Sequence, residues 1–225
     1  MYFKCILLMN AVVQKNGGSI MCKEVLEMAS KMGFKEVETQ LVLHCSPLII
    51  GLRISSLLII SKDNYANMVK ILNQTNISYK LLLINREKTV VFLYNKEKLT
   101  EYLKKERVSR LLERFGYEKR SLYHVLERFQ SRYMSYVENS KDFPHEMGLL
   151  LGYPLEDVEG FISNNGKNYL YSGYWKVYGN LNEKLKLFKK FEIARDNIMV
   201  LVSNGINIRD IINIYNQKEI KKIAF

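Results

Sequence analysis

Two histidines and their neighbours are the first candidates for chemistry in this chain. His145 and Glu146 follow Pro144, and proline starts helices where its missing N–H costs nothing. A carboxylate in a first helical turn is stabilised by the helix dipole, so the pair can simply cap a helix. The alternative is an acid/base or metal site. It would need His44 or Cys45 as well, because no second His follows at the spacing of the zinc motif HExxH. The catalytic candidates are therefore His44, Cys45, His145 and Glu146, and the metal candidates are His44, His145 and Glu146.

An aromatic segment at residues 169–178 is the second candidate. On a strand, Tyr174, Lys176 and Tyr178 share one face, and Trp175 and Val177 share the other. We interpret Trp175 and Val177 as core residues. The opposite face either lines a pocket for a planar anion, by stacking and charge, or belongs to an edge strand protected by its lysine. The ligand-binding candidates are Arg53, Tyr174, Lys176 and Tyr178.

Residues 146–162 have the spacing of a helix-turn-helix. Gly148, Gly152 and Val158 stand at the small, turn and core positions that let two helices cross closely. The second helix, at residues 154–164, carries Glu156, Asp157 and Glu159 and no basic residue. Because acidic side chains repel phosphates, we do not expect nucleic acid to bind through this helix.

The net charge of +11 permits a polyanionic partner. The composition offers a simpler explanation, since Lys, Ile, Asn and Tyr, which have AT-rich codons, are frequent while proline occurs three times. No Walker loop, Rossmann GxGxxG, GxSxG elbow or ferredoxin-type cysteine run is present, so the sequence predicts no cofactor held by a standard motif.

The compartment is predicted from the cysteines and the apolar runs. Three widely spaced cysteines without a CxxC pair form neither a disulfide framework nor a zinc ribbon, which favours a reducing cytosol. No apolar run approaches the roughly 18–20 residues of a membrane span. The N-terminus lacks the basic region and cleavage site of a signal peptide. We therefore expect a cytoplasmic protein that does not associate with membranes.

The apolar patterning predicts an α/β (α+β) protein. It should be mostly helical, with a small mixed sheet of about three to five strands. Runs at residues 56–61, 78–84 and 89–94 are predicted strands, and 174–178 is a possible further one. The first two strands should form a parallel crossover, and the run at 89–94 should be covered on both faces. Helices are expected at residues 20–32 and at 35–45, where Pro47 should end the second.

The predicted organisation has three parts. Residues 1–20 form an N-terminal extension, with Met21 as an alternative start. Residues 21–138 form the α/β part. Residues 139–225 are mainly helical, contain the helix-turn-helix-like pair, and should pack with the α/β part as one globular unit. The polar break at 139–142 is the candidate hinge.

Three stretches carry a resemblance to a known family. They are residues 44–53 (HCSPLIIGLR), 143–162 (FPHEMGLLLGYPLEDVEGFI) and 173–178 (GYWKVY), called below the first, second and third stretches. The chain from about residue 21 to 203 resembles the bacterial domain-of-unknown-function family 3793, a resemblance that implies no established activity. The family pattern usually has Lys where this chain has Arg53, and often Cys where it has Ser172. A thiol at position 172 is therefore not essential here, which weakens a metal-thiolate hypothesis.

Two hypotheses for function remain. The first is a small-molecule or cofactor binding protein, or an enzyme of unknown reaction, with metal- or redox-linked chemistry as one version. The alternative is a basic module that contacts nucleic acid or a protein partner. In either case we expect the first and second stretches to pack together beside Trp175, with Glu146 or Asp157 pairing with Arg53 or His44 because buried unpaired charge is costly. The sequence predicts no oligomeric state.

Overall fold

Three apolar runs form the central sheet of the computed structural model, which describes residues 21, 23–86, 88–118, 121–139 and 143–223. Strands β1 (Ser55–Ile60), β2 (Ile77–Ile84) and β3 (Thr89–Asn95) follow the order β1-β3-β2. Both ladders are antiparallel, with Leu58 opposite Val91 and Ser78 opposite Tyr94. The α/β class and the three predicted strands are confirmed.

Helices pack on this sheet, and two short strands form a second, separate sheet, called the ribbon below. The ribbon pairs β4 (Tyr171–Ser172) with β5 (Lys176–Val177). The helices are α1 (Lys23–Met32), α2 (Val37–Ile49), α3 (Tyr65–Leu72), α4 (Lys96–Leu103), α5 (Glu106–Arg114), α6 (Leu122–Asn139), α7 (Met147–Leu150), α8 (Leu155–Ser163), α9 (Leu181–Ser203) and α10 (Ile208–Ile223).

Both faces of the sheet are covered, as we predicted from the apolar sequence of β3. Val90 and Phe92 enter a first core with α4 to α8, whereas Val91 and Leu93 enter a second core with α1, α2, α3 and α10. Successive strand residues point to opposite faces, so the two cores lie on opposite sides of the sheet. Six of the seven residues of β3 are buried, which explains why its sequence does not alternate between apolar and polar residues.

Helix α9 joins the two cores. Its first half contributes Phe188 and Phe191 to the first core, and its second half contributes Ile198 and Met199 to the second. It packs against α1 and α2, near the other end of the sequence. Both cores thus contain residues from before and after position 139. The division at that position stays a prediction, and residues 140–142 lie outside the described part of the chain.

Two sequence expectations about the sheet need correction. The sheet is antiparallel throughout its described strands rather than mixed. β1 and β2 run in the same direction, but β3 lies between them, so they do not form the neighbouring parallel pair that we expected. Local patterning reports which segments are strands and contains no information about which strand inserts between two others.

The predicted end of α2 at Pro47 is wrong, because the helix continues to Ile49. Proline removes one N–H donor, but the N–H of Ile50 still donates to the carbonyl of Ser46 at 3.1 Å. The helix ends where Gly51 adopts a φ of +77°, a conformation that glycine reaches without steric cost. The predicted extension at residues 1–20, and the start of the first predicted helix, lie outside the described residues.

Candidate functional site

The second and third stretches meet around a cavity of about 120 Å³. Its wall is largely aromatic and aliphatic, and its polar side chains are those of His145, Asp157, Ser172 and Lys176. The cavity is lined by Phe143, His145, Met147, Gly148, Tyr153, Asp157, Val158, Phe161, Ser172, Gly173, Tyr174, Trp175 and Lys176. The two stretches that carry most of the family resemblance therefore build one concave surface.

Close packing of α7 and α8 shapes one side of this cavity. A Cβ at Gly148 would lie 3.0 Å from a methyl group of Val158, so a larger residue there would require Val158 to shift, and glycine lets the two helices approach closely. Gly152 turns the chain between them with a φ of +71°. The helical pair that we expected at this position is present. Its first helix is a single turn of four residues, and its likeness to a DNA-binding helix-turn-helix stays a prediction.

Trp175 forms the centre of the aromatic wall. Its ring is stacked on Tyr153, with centroids 4.9 Å apart, and meets the ring of Phe188 edge-on at 4.6 Å. Trp175 and Val177 are buried, as we predicted. The expected separation of the segment into two faces does not hold, because residues 173–175 form a bend before β5, and Tyr174, Trp175 and Lys176 all line the cavity.

Asp157 holds the aromatic segment against α8. This carboxylate is buried, and it accepts hydrogen bonds from Trp175 Nε1 at 2.7 Å and from the backbone N–H groups of Tyr178 and Gly179 at 2.8 and 3.3 Å. Lys184 Nζ lies 3.9 Å from it. We did not predict this role of Asp157 from the sequence. The signal available was the position of Asp157 four residues before Phe161, which places both on the same helical face.

Lys176 is fixed at the edge of the cavity. Its Nζ donates a hydrogen bond of 2.6 Å to the carbonyl oxygen of Gly166. The same ammonium lies 4.7 Å from the ring centroid of Tyr169 and 5.7 Å from that of Phe161. Cation–π attraction and one hydrogen bond therefore hold a positive charge at this place.

His145 and Glu146 are adjacent in sequence but have different surroundings. The His145 ring lies 5.3 Å from the ring of Phe143 and 5.8 Å from that of Phe161, in the cavity wall. Glu146 is fully buried and accepts hydrogen bonds from Arg132, through Nε and, at 3.3 Å, through Nη2. It does not line the cavity.

Glu146 has a second partner in Tyr117, whose hydroxyl donates to it at 3.0 Å. Burial, together with the neighbouring carboxylate, raises the pKa of Tyr117. Arg132 and Tyr117 therefore commit this carboxylate to a structural cluster. Because both partners already bind this carboxylate, we do not expect Glu146 to act as a free acid or as a ligand for a metal ion.

His44 and Cys45 lie on α2, away from the cavity lining. Burial lowers the pKa of His44 from 6.5 to about 4 and raises the pKa of Cys45 to about 12. The first group is thus a neutral imidazole and the second a protonated thiol at neutral pH. Cys45 is free, whereas Cys5 and Cys22 lie outside the described residues. Nowhere in the described part of the chain do three or more His, Cys, Asp or Glu side chains come together as ligands for a metal ion.

The first stretch does pack against the second, as we expected. Arg53 Nη2 donates to the carbonyl of Leu151 at 3.1 Å, and just after the first stretch Ser55 Oγ, at the start of β1, donates to that of Leu150 at 2.5 Å. The Arg53 guanidinium also lies 5.4 Å from the ring centroid of Tyr153. Arg53 therefore supports the ring that stacks on Trp175, without lining the cavity itself.

The carboxylate partners that we expected for this junction are wrong. Glu146 pairs with Arg132, and Asp157 binds Trp175 and backbone N–H groups, so neither answers Arg53 or His44. Arg53 uses a carbonyl and an aromatic ring instead. Tyr178, the remaining ligand candidate, does not line the cavity. Its ring packs so closely on Gly160 that a Cβ there would lie 2.5 Å away.

A comparison with protein families matches residues 41–212 to the model described as Protein of unknown function (DUF3793). The chain belongs to this family. The DUF3793 match includes Arg53 and every residue of the cavity lining. Searches of curated proteins and of solved structures each gave no match.

Over the residues described, none of the helices of this DUF3793 chain has both the length and the apolar character that crossing a bilayer requires.

Proposed function

We propose that this protein binds a small planar molecule in the cavity between the second and third stretches. The observation that carries the proposal is the aromatic cavity of about 120 Å³ that these two stretches build together. An engineered, enclosed apolar cavity of about 150 Å³ admits benzene. The present cavity is somewhat smaller but is open on one side, so it can receive a single ring whose substituent extends towards the opening. Tyr153, Phe161 and Trp175 supply faces and edges against which such a ring can pack.

The size of the cavity sets the expected affinity. A ligand of about nine non-hydrogen atoms at roughly 0.5 kcal/mol per atom would bind with about 4–5 kcal/mol, or a Kd just below millimolar. A molecule that extends through the open side would bind more tightly. The proposal includes a binding protein and an enzyme acting on the bound molecule. A metal-linked version draws no support from His44 and Glu146, which are held elsewhere.

The single tryptophan of the chain reports on binding directly, because Trp175 is part of the cavity wall. We expect benzamide, added at millimolar concentration to the full chain, to change the emission of Trp175 with saturation. Ser172 is exposed and lines the cavity, so Ser172→Phe should obstruct it and abolish the change without unfolding the protein.

The matched control is Ser163→Phe, which alters an exposed serine at the end of α8 outside the cavity lining. This variant should behave as the wild type does. The proposal is contradicted if the wild-type emission responds neither to benzamide nor to charged benzene derivatives of similar size, or if both serine variants respond equally.

The alternative of a basic module for nucleic acid or protein has less support. Arg107 and Arg110, in the most charged part of the chain, pair with Glu159 and Glu106. Binding to random DNA that weakens steeply with ionic strength would favour this alternative. We further propose that the protein is cytoplasmic and bacterial, as the cysteine usage and the family resemblance suggest.

A further inference from the structure

Two charged side chains, Asp157 and Lys176, line the cavity. Their charges are compensated to different extents. Asp157 accepts hydrogen bonds from three neutral N–H donors, and the positively charged Nζ of Lys184 lies 3.9 Å away as a fourth partner. Its negative charge is thus largely satisfied within the fold, since hydrogen bonds from N–H groups stabilise a carboxylate strongly.

Lys176 lacks a comparable counter-charge. Within the described part of the chain no carboxylate lies in ion-pairing distance of its Nζ, whose partners are the Gly166 carbonyl and the rings of Tyr169 and Phe161. A carbonyl dipole and aromatic quadrupoles hold an ammonium in place but leave its net charge uncompensated. An anion at this position would supply the missing charge.

The turn that follows α8 fixes the position of the Lys176 ammonium. Gly166 adopts a φ of +70°, and its N–H donates to the carbonyl of Phe161 at 2.8 Å. This turn directs the Gly166 carbonyl oxygen to Lys176 Nζ. The lysine therefore does not have to be ordered when a ligand arrives, which reduces the entropic cost of binding.

From this arrangement we infer that the ligand is an aromatic anion, and that Lys176 makes the cavity prefer a negatively charged ligand. The inference rests on the proposed function. The ring of the ligand packs in the aromatic cavity, and an oxyanion group such as a carboxylate accepts a hydrogen bond from Lys176 Nζ. One hydrogen bond of this ammonium already goes to Gly166, which leaves N–H donors for the ligand.

The test compares benzoate with benzamide, which have nearly the same shape and differ in charge. Titrations of the full chain, followed by Trp175 emission at low ionic strength, should give a Kd for benzoate at least about tenfold lower, as expected for one charge-assisted hydrogen bond. Added salt should weaken the binding of benzoate and leave that of benzamide nearly unchanged. The salt comparison needs no variant, so it is independent of any effect on folding.

Two lysine variants then locate the effect. Lys176→Met should raise the Kd of benzoate about tenfold with little effect on benzamide, as expected for the loss of one charge-assisted contact. Lys167→Met changes an exposed lysine just before the aromatic segment and outside the cavity lining, and it should leave both affinities unchanged.

Equal affinity for benzoate and benzamide would overturn the inference and leave the proposed function intact. Tighter binding of phenyltrimethylammonium than of benzoate would also overturn it, because Asp157 would then set the preferred charge. If none of the three probes binds, the proposed function itself fails.

Discussion

Replacing Asp157 by asparagine tests whether this carboxylate joins the aromatic segment to α8. Asparagine has the same shape, but its Nδ2 donates hydrogen bonds and cannot accept them. In one orientation of the asparagine, Nδ2 faces Trp175 Nε1. In the other, Nδ2 faces the N–H groups of Tyr178 and Gly179, which in the wild type donate to Asp157 Oδ1. Every orientation therefore leaves a buried donor without its acceptor.

The cost follows from the burial of this group. Asp157 is 2% exposed, and an unsatisfied buried donor costs about 1–3 kcal/mol. The hydrogen bonds that survive also become neutral and weaker, so we expect a total loss of about 2–4 kcal/mol in the free energy of unfolding. Lys184 adds little to this loss, because it keeps Glu156 as a partner at 2.5 Å.

The assay is urea unfolding followed by Trp175 emission and, independently, by circular dichroism. With a urea dependence of about 1–3 kcal/mol per molar, the midpoint should fall by roughly 1–2 M. The control is Glu159→Gln on the same helix, where a carboxylate that is 44% exposed faces Arg107 at 3.6 Å and contributes at most about 1 kcal/mol. Equal midpoints for the two variants would refute the assigned role of Asp157.

Two further predictions concern His44 and Arg132, which lie outside the cavity lining. Because the pKa of His44 is about 4 when folded and 6.5 in its ordinary state, the unfolded chain binds more protons between these values, and stability should fall by up to about 3 kcal/mol as the pH drops from 6.5 to 4. The difference in unfolding free energy between wild type and His44→Gln, measured across this range, isolates that contribution. Arg132→Met should lower stability by about 3–5 kcal/mol in urea unfolding, because it leaves Glu146 buried without its cationic partner.

If the unfolding free energies of the wild type and of His44→Gln depend on pH in the same way, the prediction for His44 is contradicted. For the second, Arg110→Met is the control, since Arg110 is 73% exposed and pairs with Glu106 at the surface. Its effect should not exceed about 1 kcal/mol. If the two arginine variants lose similar amounts of unfolding free energy, the Arg132–Glu146 pair stabilises the fold no more than a surface ion pair does.

The elements of the fold could be predicted where local patterning determines them. β3 is an uninterrupted apolar run because both of its faces are buried, and such runs are visible in sequence. The placement of β3 between β1 and β2 depends on contacts between distant segments. No property of residues 55–95 taken one segment at a time distinguishes that order from a parallel pair of β1 and β2.

The candidate site was predictable in part for the same reason. The burial of Trp175 and Val177 could be predicted from their apolar character and strand-like spacing. The bend that brings Trp175 and Lys176 to the same cavity could not. The partners of Asp157 and Glu146 could not be assigned, since Trp175 is 18 residues from Asp157 and Tyr117 is 29 from Glu146. Charge alone suggested Arg53 as a partner, whereas packing gave Arg53 a carbonyl and the ring of Tyr153.

The most direct test of the account is the indole N–H resonance of Trp175 in a nitrogen–proton correlation spectrum of the full chain. The chain has one tryptophan, so this signal needs no assignment, and its Nε1 donates to Asp157 beside the cavity. Addition of benzoate should shift the resonance with saturation, and Ser172→Phe should abolish the shift. An indole resonance that stays in place at millimolar benzoate in the wild type would contradict the central claim that this cavity binds a small aromatic anion.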